Sequence, residues 1–585
     1  MLRKIMLSAA LTTLLAACGA EKNEAATGFV ADVDLEAWGR LAVHSDGRLK
    51  SFESYSRSLM TYVTGPRSYQ DQSPTFTLLD LAFRPEAYVD ADVLYVKNKA
   101  IRVQISKALE GGHGAHEPGF AARMTTFIDR GLISDQLLRM PEVLQLLERL
   151  RSDLVRTAKF VEMIDSASAV SDPRYLTDTM RVVPPPGVDD KMPWMSLQDV
   201  ALANHAHEPG EDHGHNAAIA ALTDAQRDQI YEHYIALMNG WRAQDAEAVN
   251  AATASLADLL PTIAPELYPS TGRLSWESWY FRAKSMTWVW LLYLPAVVLL
   301  LLSLVYSWRP ARLCGMGMFL IAFGFHTFAV GLRWYVSGRW PNTNMFEAVT
   351  TAAWFGCVLA ISSQFWAKRS TMRDVFALGG AVAASVALMA VHFLPATLSS
   401  NIQNKMPVLH DVWLYIHTNV IIASYCLIFM AAISALLYLG YRVFGGKAEF
   451  ARMGGAGSLM MTGGPSDSDI AASAASREAG GGTSAGQVFD GVTMVLMELS
   501  FVMLWTGLVM GAIWADHSWG RPWGWDPKEV FALNTFLVFA VLVHVRLKSK
   551  DKGLWTAVLA VIGAGVMLFN WIVVNFVITG LHSYA

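Results

Sequence analysis

Eight apolar runs crowd the second half of this chain, and they constrain its fold more than any other feature. They lie near Trp288–Tyr306, Leu313–Trp334, Ala348–Trp366, Phe376–Leu394, Trp413–Tyr441, Val492–Ile513, Val530–Val545 and Trp555–Ile578. About 20 residues of helix cross a ~30 Å hydrocarbon core. Inside lipid every backbone donor and acceptor must find a partner within the chain, so runs of this kind fold as helices. An all-α polytopic membrane bundle of about eight helices is expected over residues 286–585.

Positive charge in the short connections orients the bundle. Arg309 and Arg312, then Lys368, Arg369 and Arg373, then Arg442, Lys447 and Arg452, then Arg546, Lys548, Lys550 and Lys552 fall in alternate loops. Those loops belong to the cytoplasmic side. The segment entering the first helix, the loop between the sixth and seventh and the C-terminus then face outward. The expected setting is a bacterial-type inner or plasma membrane. The bundle divides into residues 286–444 with five helices, a Gly, Ala and Ser-rich stretch over 445–486 that reads as a linker, and residues 487–585 with three.

The first half differs in character. Residues 19–285 contain no run long enough to cross a bilayer, and their charged and aromatic residues are mixed as in a globular domain. Helical periodicity is clearest over 122–167 and 223–260, whereas 92–105 alternates more like strands, so a mainly helical extracytoplasmic domain is expected. Ahead of it, Arg3 and Lys4 precede an apolar run ending in Leu15-Ala16-Ala17-Cys18. Residues 1–18 therefore read as a secretory signal with a lipoprotein-type cleavage site, with ordinary cleavage or an uncleaved anchor as alternatives. A net charge of -4 offers none of the basic footprint that nucleic-acid binding requires.

Cys314, Cys357 and Cys426 fall within apolar runs and read as small packing residues. The sequence holds no C-x-x-C-H, the thiol pair by which a chain attaches haem to itself. Two histidine-rich stretches, one around His113 and His116 and one carrying His205, His207, His213 and His215, offer imidazoles for a metal. The glycines and prolines between them favour a solvated loop.

Between the sixth and seventh runs stands Trp514-Ala515-Asp516-His517-Ser518-Trp519-Gly520-Arg521-Pro522-Trp523-Gly524-Trp525-Asp526-Pro527-Lys528-Glu529, with four tryptophans in twelve residues. Indole rings offer flat apolar faces and one N–H donor, a combination that can hold a large planar ligand while its polar edge stays wet. An interfacial aromatic belt would need the tryptophans but not the fixed Gly, Asp and Glu between them. The pattern Trp519-Gly520-x-x-Trp523-x-Trp525-Asp526-x-x-Glu529 resembles the tryptophan-rich signature of the CcsA, CcmC and CcmF group of haem-handling cytochrome c biogenesis proteins. Gly331 to Glu347 resembles another element of that group. Leu41 to Phe52 with Tyr55 resembles a stretch that precedes the membrane part in some fused CcsA-type proteins.

The resemblance implies a haem platform of Trp519, Gly520, Trp523, Trp525 and Asp526, with His417 and His582 as outer iron ligands on either side of it. His544 matches the family's intramembrane histidine. Its partner in two-part relatives comes from a ResB-like portion that this chain lacks, so either His326 or another subunit fills that place. Arg333, Arg339, Arg521 and Lys528 can neutralise haem propionates or pair with Glu347, Asp526 and Glu529, and Glu529 itself either contacts a propionate or structures the loop. Glu498, His392, His410 and His517 read as pairing or rim residues.

No side chain reads as a catalytic nucleophile. The implied activity is that of a cytochrome c haem lyase: haem b, bound without covalent bonds, is presented to an apocytochrome c whose C-x-x-C-H thiols attack it. Thiol reductants, a ResB-like membrane subunit and membrane lipid are the implied partners. Handing haem to a separate lyase, carrying electrons through permanent haems, and transport without haem are the alternatives.

Overall fold

The computed structural model describes residues 28–110, 119–153, 157–187, 192–203, 213–367, 370–395, 397–402, 404, 410–451, 484–576 and 578. The expected signal segment, most of the 445–486 linker, His113, His116, His205, His207 and His582 lie outside them. The chain divides into two compact units, Met1–Phe281 and Arg282–Ala585.

The first unit is helical around a single core in which Trp38, Phe52, Phe76, Phe83 and Trp241 are buried. The Trp241 indole donates to Asp80 at 2.9 Å, which satisfies its one polar atom inside that core. Thr223 and Gln226 form a reciprocal capping box that starts the helix Asp224–Ala243, and Asp245 caps Ala246–Ile263. The stretch from Leu41 folds as a hairpin, Ala42–Ser45 paired antiparallel with Arg48–Ser51. Asp46 and Gly47 turn it at φ 51° and 71°, the two positive values that a two-residue hairpin turn requires. The buried Glu277 holds this hairpin by accepting from Arg48 at 2.6 Å and from the Ser51 amide at 3.1 Å.

Two expectations for this unit are corrected. Over 92–105 only Leu94–Tyr95 is strand, and a helix occupies Lys99–Glu110. Asn98 caps that helix by accepting from the Ala100 and Ile101 amides, and Ile101, Ile105 and Leu109 recur at helical spacing on its buried side. The helical region 122–167 is broken into Phe120–Arg130, Asp135–Leu138, Pro141–Arg151 and Ala158–Val170. Gly131 at φ 88° ends the first of these, and Pro141 opens the third.

Among the described residues, the second unit holds eight helices long and apolar enough to span a membrane. They are α1 (Trp290–Tyr306), α2 (Arg309–Ser337), α3 (Met345–Trp366), α4 (Ser370–Phe393), α5 (Val412–Val443), α6 (Ala485–Trp519), α7 (Pro527–Lys548) and α8 (Lys552–Phe569), the last running into a π-helical turn at Asn570–Val574. Helix α5 packs along α6 and against α8, while α1 lies between α2 and α4. At the end remote from the tryptophan-rich stretch, Arg546 of α7 reaches both oxygens of Asp490 on α6 at 2.8 and 2.7 Å, and Thr556 of α8 at 2.5 Å. The same pair holds both backbone groups of Ala451, a residue in the described start of the linker. Three helix ends and the chain leaving α5 are thereby locked together.

Candidate functional site

A cavity of about 280 Å³ opens among α5, α6, α7, the π turn after α8 and the loop before α3. His417 lies in its wall together with Trp514, Trp523, Lys528 and Glu529. Asp411 starts α5 by accepting from the Trp413 and Leu414 amides, which sets His417 between one and two turns into the helix. The imidazole Nδ1 lies 2.7 Å from the Gly507 carbonyl of α6. A carbonyl can only accept, so Nδ1 carries the proton in this bond. Metal-ligating histidines are oriented and polarised in this way by a carbonyl behind them. Small residues on α6 permit the approach, since a Cβ on Gly511 would stand 2.7 Å from the ring.

The tryptophan-rich stretch is a helix end, a short link and a helix start. Helix α6 continues through Trp519, and Gly520 ends it at φ 67° with its amide donating to Asp516 at 2.9 Å. Asp526, buried, caps α7, with Pro527 at the first helical position. Glu529 completes a capping box, its carboxylate accepting from the Asp526 amide at 3.2 Å and from that of Gly524 at 2.8 Å. One oxygen of Glu529, Oε2, thus structures the loop. The five expected platform residues also divide by task. Trp523 lines the cavity, Gly520 and Asp526 shape the link, and Trp519 packs on Trp514 at 5.1 Å between ring centres. Trp525 is 74% exposed at φ 55°, a backbone conformation that costs a bulky residue energy and is held here by the cap that follows.

The cations also divide. Arg333 and Arg339 do not line the cavity. Both are consumed by the buried Glu347, Arg333 through Nε at 2.9 Å and Arg339 through Nη1 at 2.8 Å. Arg333 further donates to the Ser400 and Asn401 carbonyls. Among their expected roles, ion pairing with Glu347 is the one realised, because a buried carboxylate is tolerated only when paired. Arg521 is exposed and away from the cavity wall, and Lys528 is on it.

The other described histidines do not line the cavity. His326 is buried with both nitrogens engaged: Nε2–H donates to the Thr350 carbonyl at 3.2 Å and Nδ1 accepts from the Tyr293 hydroxyl at 3.2 Å. It offers iron no free nitrogen. His544 is exposed on α7, its Nδ1–H donating to the Ala540 carbonyl of its own helix at 2.8 Å. His517 lies 3.8 Å from Asp411. His213 and His215 begin a helix, but their side chains are outside the described residues, among which no cluster of three or more potential metal ligands occurs.

Sequence reasoning missed the floor of the cavity. Asn570 donates to the Tyr425 hydroxyl at 2.6 Å, and Trp571 stands edge-on to Tyr425 at 5.7 Å. Asn570 and Trp571 occupy the π turn, a distortion that clusters at functional sites. The available signal was two asparagines and a tryptophan inside the last apolar run.

The sequence model of the family described as Cytochrome C assembly protein matches residues 343–582. Three curated relatives are each named "Cytochrome c biogenesis protein CcsA". That of Prochlorococcus marinus (strain NATL1A) is 33% identical over 259 residues, 43% of this chain and 79% of the relative. That of Synechococcus elongatus is 31% identical over 275 residues, 44% and 82% of the two chains. That of Guillardia theta is 28% identical over 296 residues, 49% and 92%. The matched family segment contains every residue that lines the cavity except Asn342. With this likeness spanning more than three quarters of the relatives, the chain belongs to the CcsA family of cytochrome c biogenesis proteins.

Proposed function

We propose that this chain is a haem-presenting cytochrome c synthase. It takes haem b as substrate in the cavity beside Trp523, holds the iron between His417 and His582, and leaves the vinyl edge open to an apocytochrome c. The observation that carries this reading is the placement of His417, whose Nδ1 meets the Gly507 carbonyl, in the wall of a cavity shared with the tryptophan-rich loop. Each client thiol adds across a vinyl group: a sulfur–carbon bond forms, the thiol proton goes to the neighbouring vinyl carbon, and no net electron is gained or lost. The thiols must arrive reduced, which makes thiol reductants the expected partners. The chain's own work is positional, and bringing two reactants into register supplies on the order of 7–11 kcal/mol of a barrier.

The alternating positive loops support an outward position for the cavity in a bacterial-type plasma membrane, with residues 19–285 on the same side. His544, exposed on the least covered of the eight helices, suits a second, intramembrane ligand. With both nitrogens of His326 engaged, its counterpart is assigned to another subunit of ResB-like type.

The test is an absorption spectrum of the purified, detergent-solubilised chain beside His417→Ala and His582→Ala, with imidazole added back. Haem in the wild type, weakened in both variants and restored by imidazole, supports the reading. Unchanged spectra in both variants would overturn it.

A further inference from the structure

The four tryptophans of the stretch between α6 and α7 differ in how far they leave the fold. Trp514 is buried, Trp519 and Trp523 are half-buried, and Trp525 is exposed. The backbone is built to turn Trp525 outward. Glu529 Oε2 accepts from the amides on both sides of it, that of Gly524 at 2.8 Å and that of Asp526 at 3.2 Å. Drawing amides two positions apart onto one oxygen pushes the residue between them away, and Trp525 takes φ 55° to follow.

That conformation costs a tryptophan on the order of 1–3 kcal/mol and costs glycine almost nothing. A chain that needed only the turn would carry glycine here. An interfacial aromatic belt would place an indole at headgroup depth, and it asks for no particular backbone conformation. The strain therefore points to a task for which this one ring must be held in one direction.

Its place at the site narrows the task. Trp523 lines the cavity and stands edge-on to Trp525, with 6.0 Å between ring centres. Pro522, exposed, lines the cavity as well, whereas Trp525 does not. A ligand inside the cavity meets Trp523. A molecule that approaches this ligand from outside meets Trp525.

Resting on the proposed haem site, we infer that Trp525 is a docking anchor for the client polypeptide, the segment of apocytochrome c that carries C-x-x-C-H. Tryptophan is enriched among the few residues that carry most of a protein–protein affinity, and one already held in place loses little freedom on binding. An extended peptide advances ~3.3 Å per residue, so a ring this close to Trp523 meets the client within or directly beside the reacting motif. The tryptophan-rich signature then has two faces: Trp523 serves the substrate, and Trp525, presented by Glu529, serves the client.

The experiment measures binding of a fluorescent C-x-x-C-H peptide, its cysteines replaced by serine so that no bond forms, to the full-length chain in detergent with and without added haem. Trp525→Gly is the first variant, because glycine accepts φ 55° and the turn survives. It should weaken peptide binding tenfold or more while the Soret band stays unchanged and thermal unfolding occurs no earlier than in the wild type. Trp525→Phe, which keeps a large ring, should recover most of the affinity. A glycine variant that binds the peptide as the wild type does overturns the anchor and leaves the indole to the lipid interface. A wild type that binds no peptide in either state overturns it too, and a glycine variant that loses the Soret band returns Trp525 to the haem platform. Should the haem site itself fail, through unaltered spectra in His417→Ala and His582→Ala, peptide binding to the haem-free chain still decides whether Trp525 is an anchor.

Discussion

Two histidines sit among the helices of this bundle in opposite circumstances. His326, in α2, is part of a buried chain that ties four helices together. Its Nε2–H meets Thr350 of α3, its Nδ1 meets Tyr293 of α1, and the Tyr293 hydroxyl lies 3.5 Å from Cys357 of α3, whose thiol faces the Gly380 carbonyl of α4. His417, in α5, spends Nδ1–H on one carbonyl and lies in a cavity wall. The sequence marks His326 by its place midway along an apolar run and His417 by its resemblance to a histidine element of a known family. What separates them is their setting: both nitrogens of His326 serve helix packing, whereas His417 lies in the wall of a cavity.

The largest effect expected from this contrast is at Gly511. An alanine there places a methyl group 2.7 Å from the His417 ring, and the ring must turn away from the Gly507 carbonyl that orients it. Haem affinity should fall by at least about tenfold, equivalent to ~1.4 kcal/mol, with the fold intact by circular dichroism. Unaltered affinity would mean that the orientation of His417 is irrelevant to binding.

Next is His326→Leu. Removing the ring leaves the Tyr293 hydroxyl without its acceptor in a buried site, which should lower stability by about 1–3 kcal/mol. Thermal unfolding in detergent should show an earlier transition, and the haem spectrum at low temperature should match the wild type. A lost Soret band in a folded protein would return His326 to the list of ligands and dissolve the contrast.

The two histidines also show what a sequence can and cannot display. The eight helices were legible because the bilayer imposes a length on every apolar run. His417 and the tryptophan-rich stretch stood out as candidates because they resemble elements of a known family. The role of His326 was not, since it depends on Tyr293 and Thr350, residues unremarkable in themselves and brought together only by packing. The same holds for Asn570 and Tyr425, 145 positions apart in sequence and joined by one hydrogen bond. In the first unit, Asn98 starting a helix outweighed an apparent alternation over 92–105. A local cap prevailed over a weak period.

The smallest effect is expected where motif and function most invite confusion. Asp526 and Glu529 belong to the tryptophan-rich signature, and a carboxylate near a haem is readily taken for a contact with it. Their geometry gives another account: Asp526 Oδ2 accepts from the Lys528 amide and Glu529 Oε2 from the Gly524 and Asp526 amides, so both carboxylates structure the link into α7. Asp526→Asn keeps an oxygen acceptor at the cap and should leave stability within a few tenths of a kcal/mol, because asparagine and aspartate are comparable caps. Asp526→Ala removes the cap and should cost about 0.5–2 kcal/mol. If the carboxylate acts only through the loop, haem affinity will follow stability across this pair, with the asparagine variant near wild type and the alanine variant weakened. Should the asparagine variant lose haem while keeping its stability, the negative charge itself would matter, and Asp526 would join His417 among the groups that face the substrate.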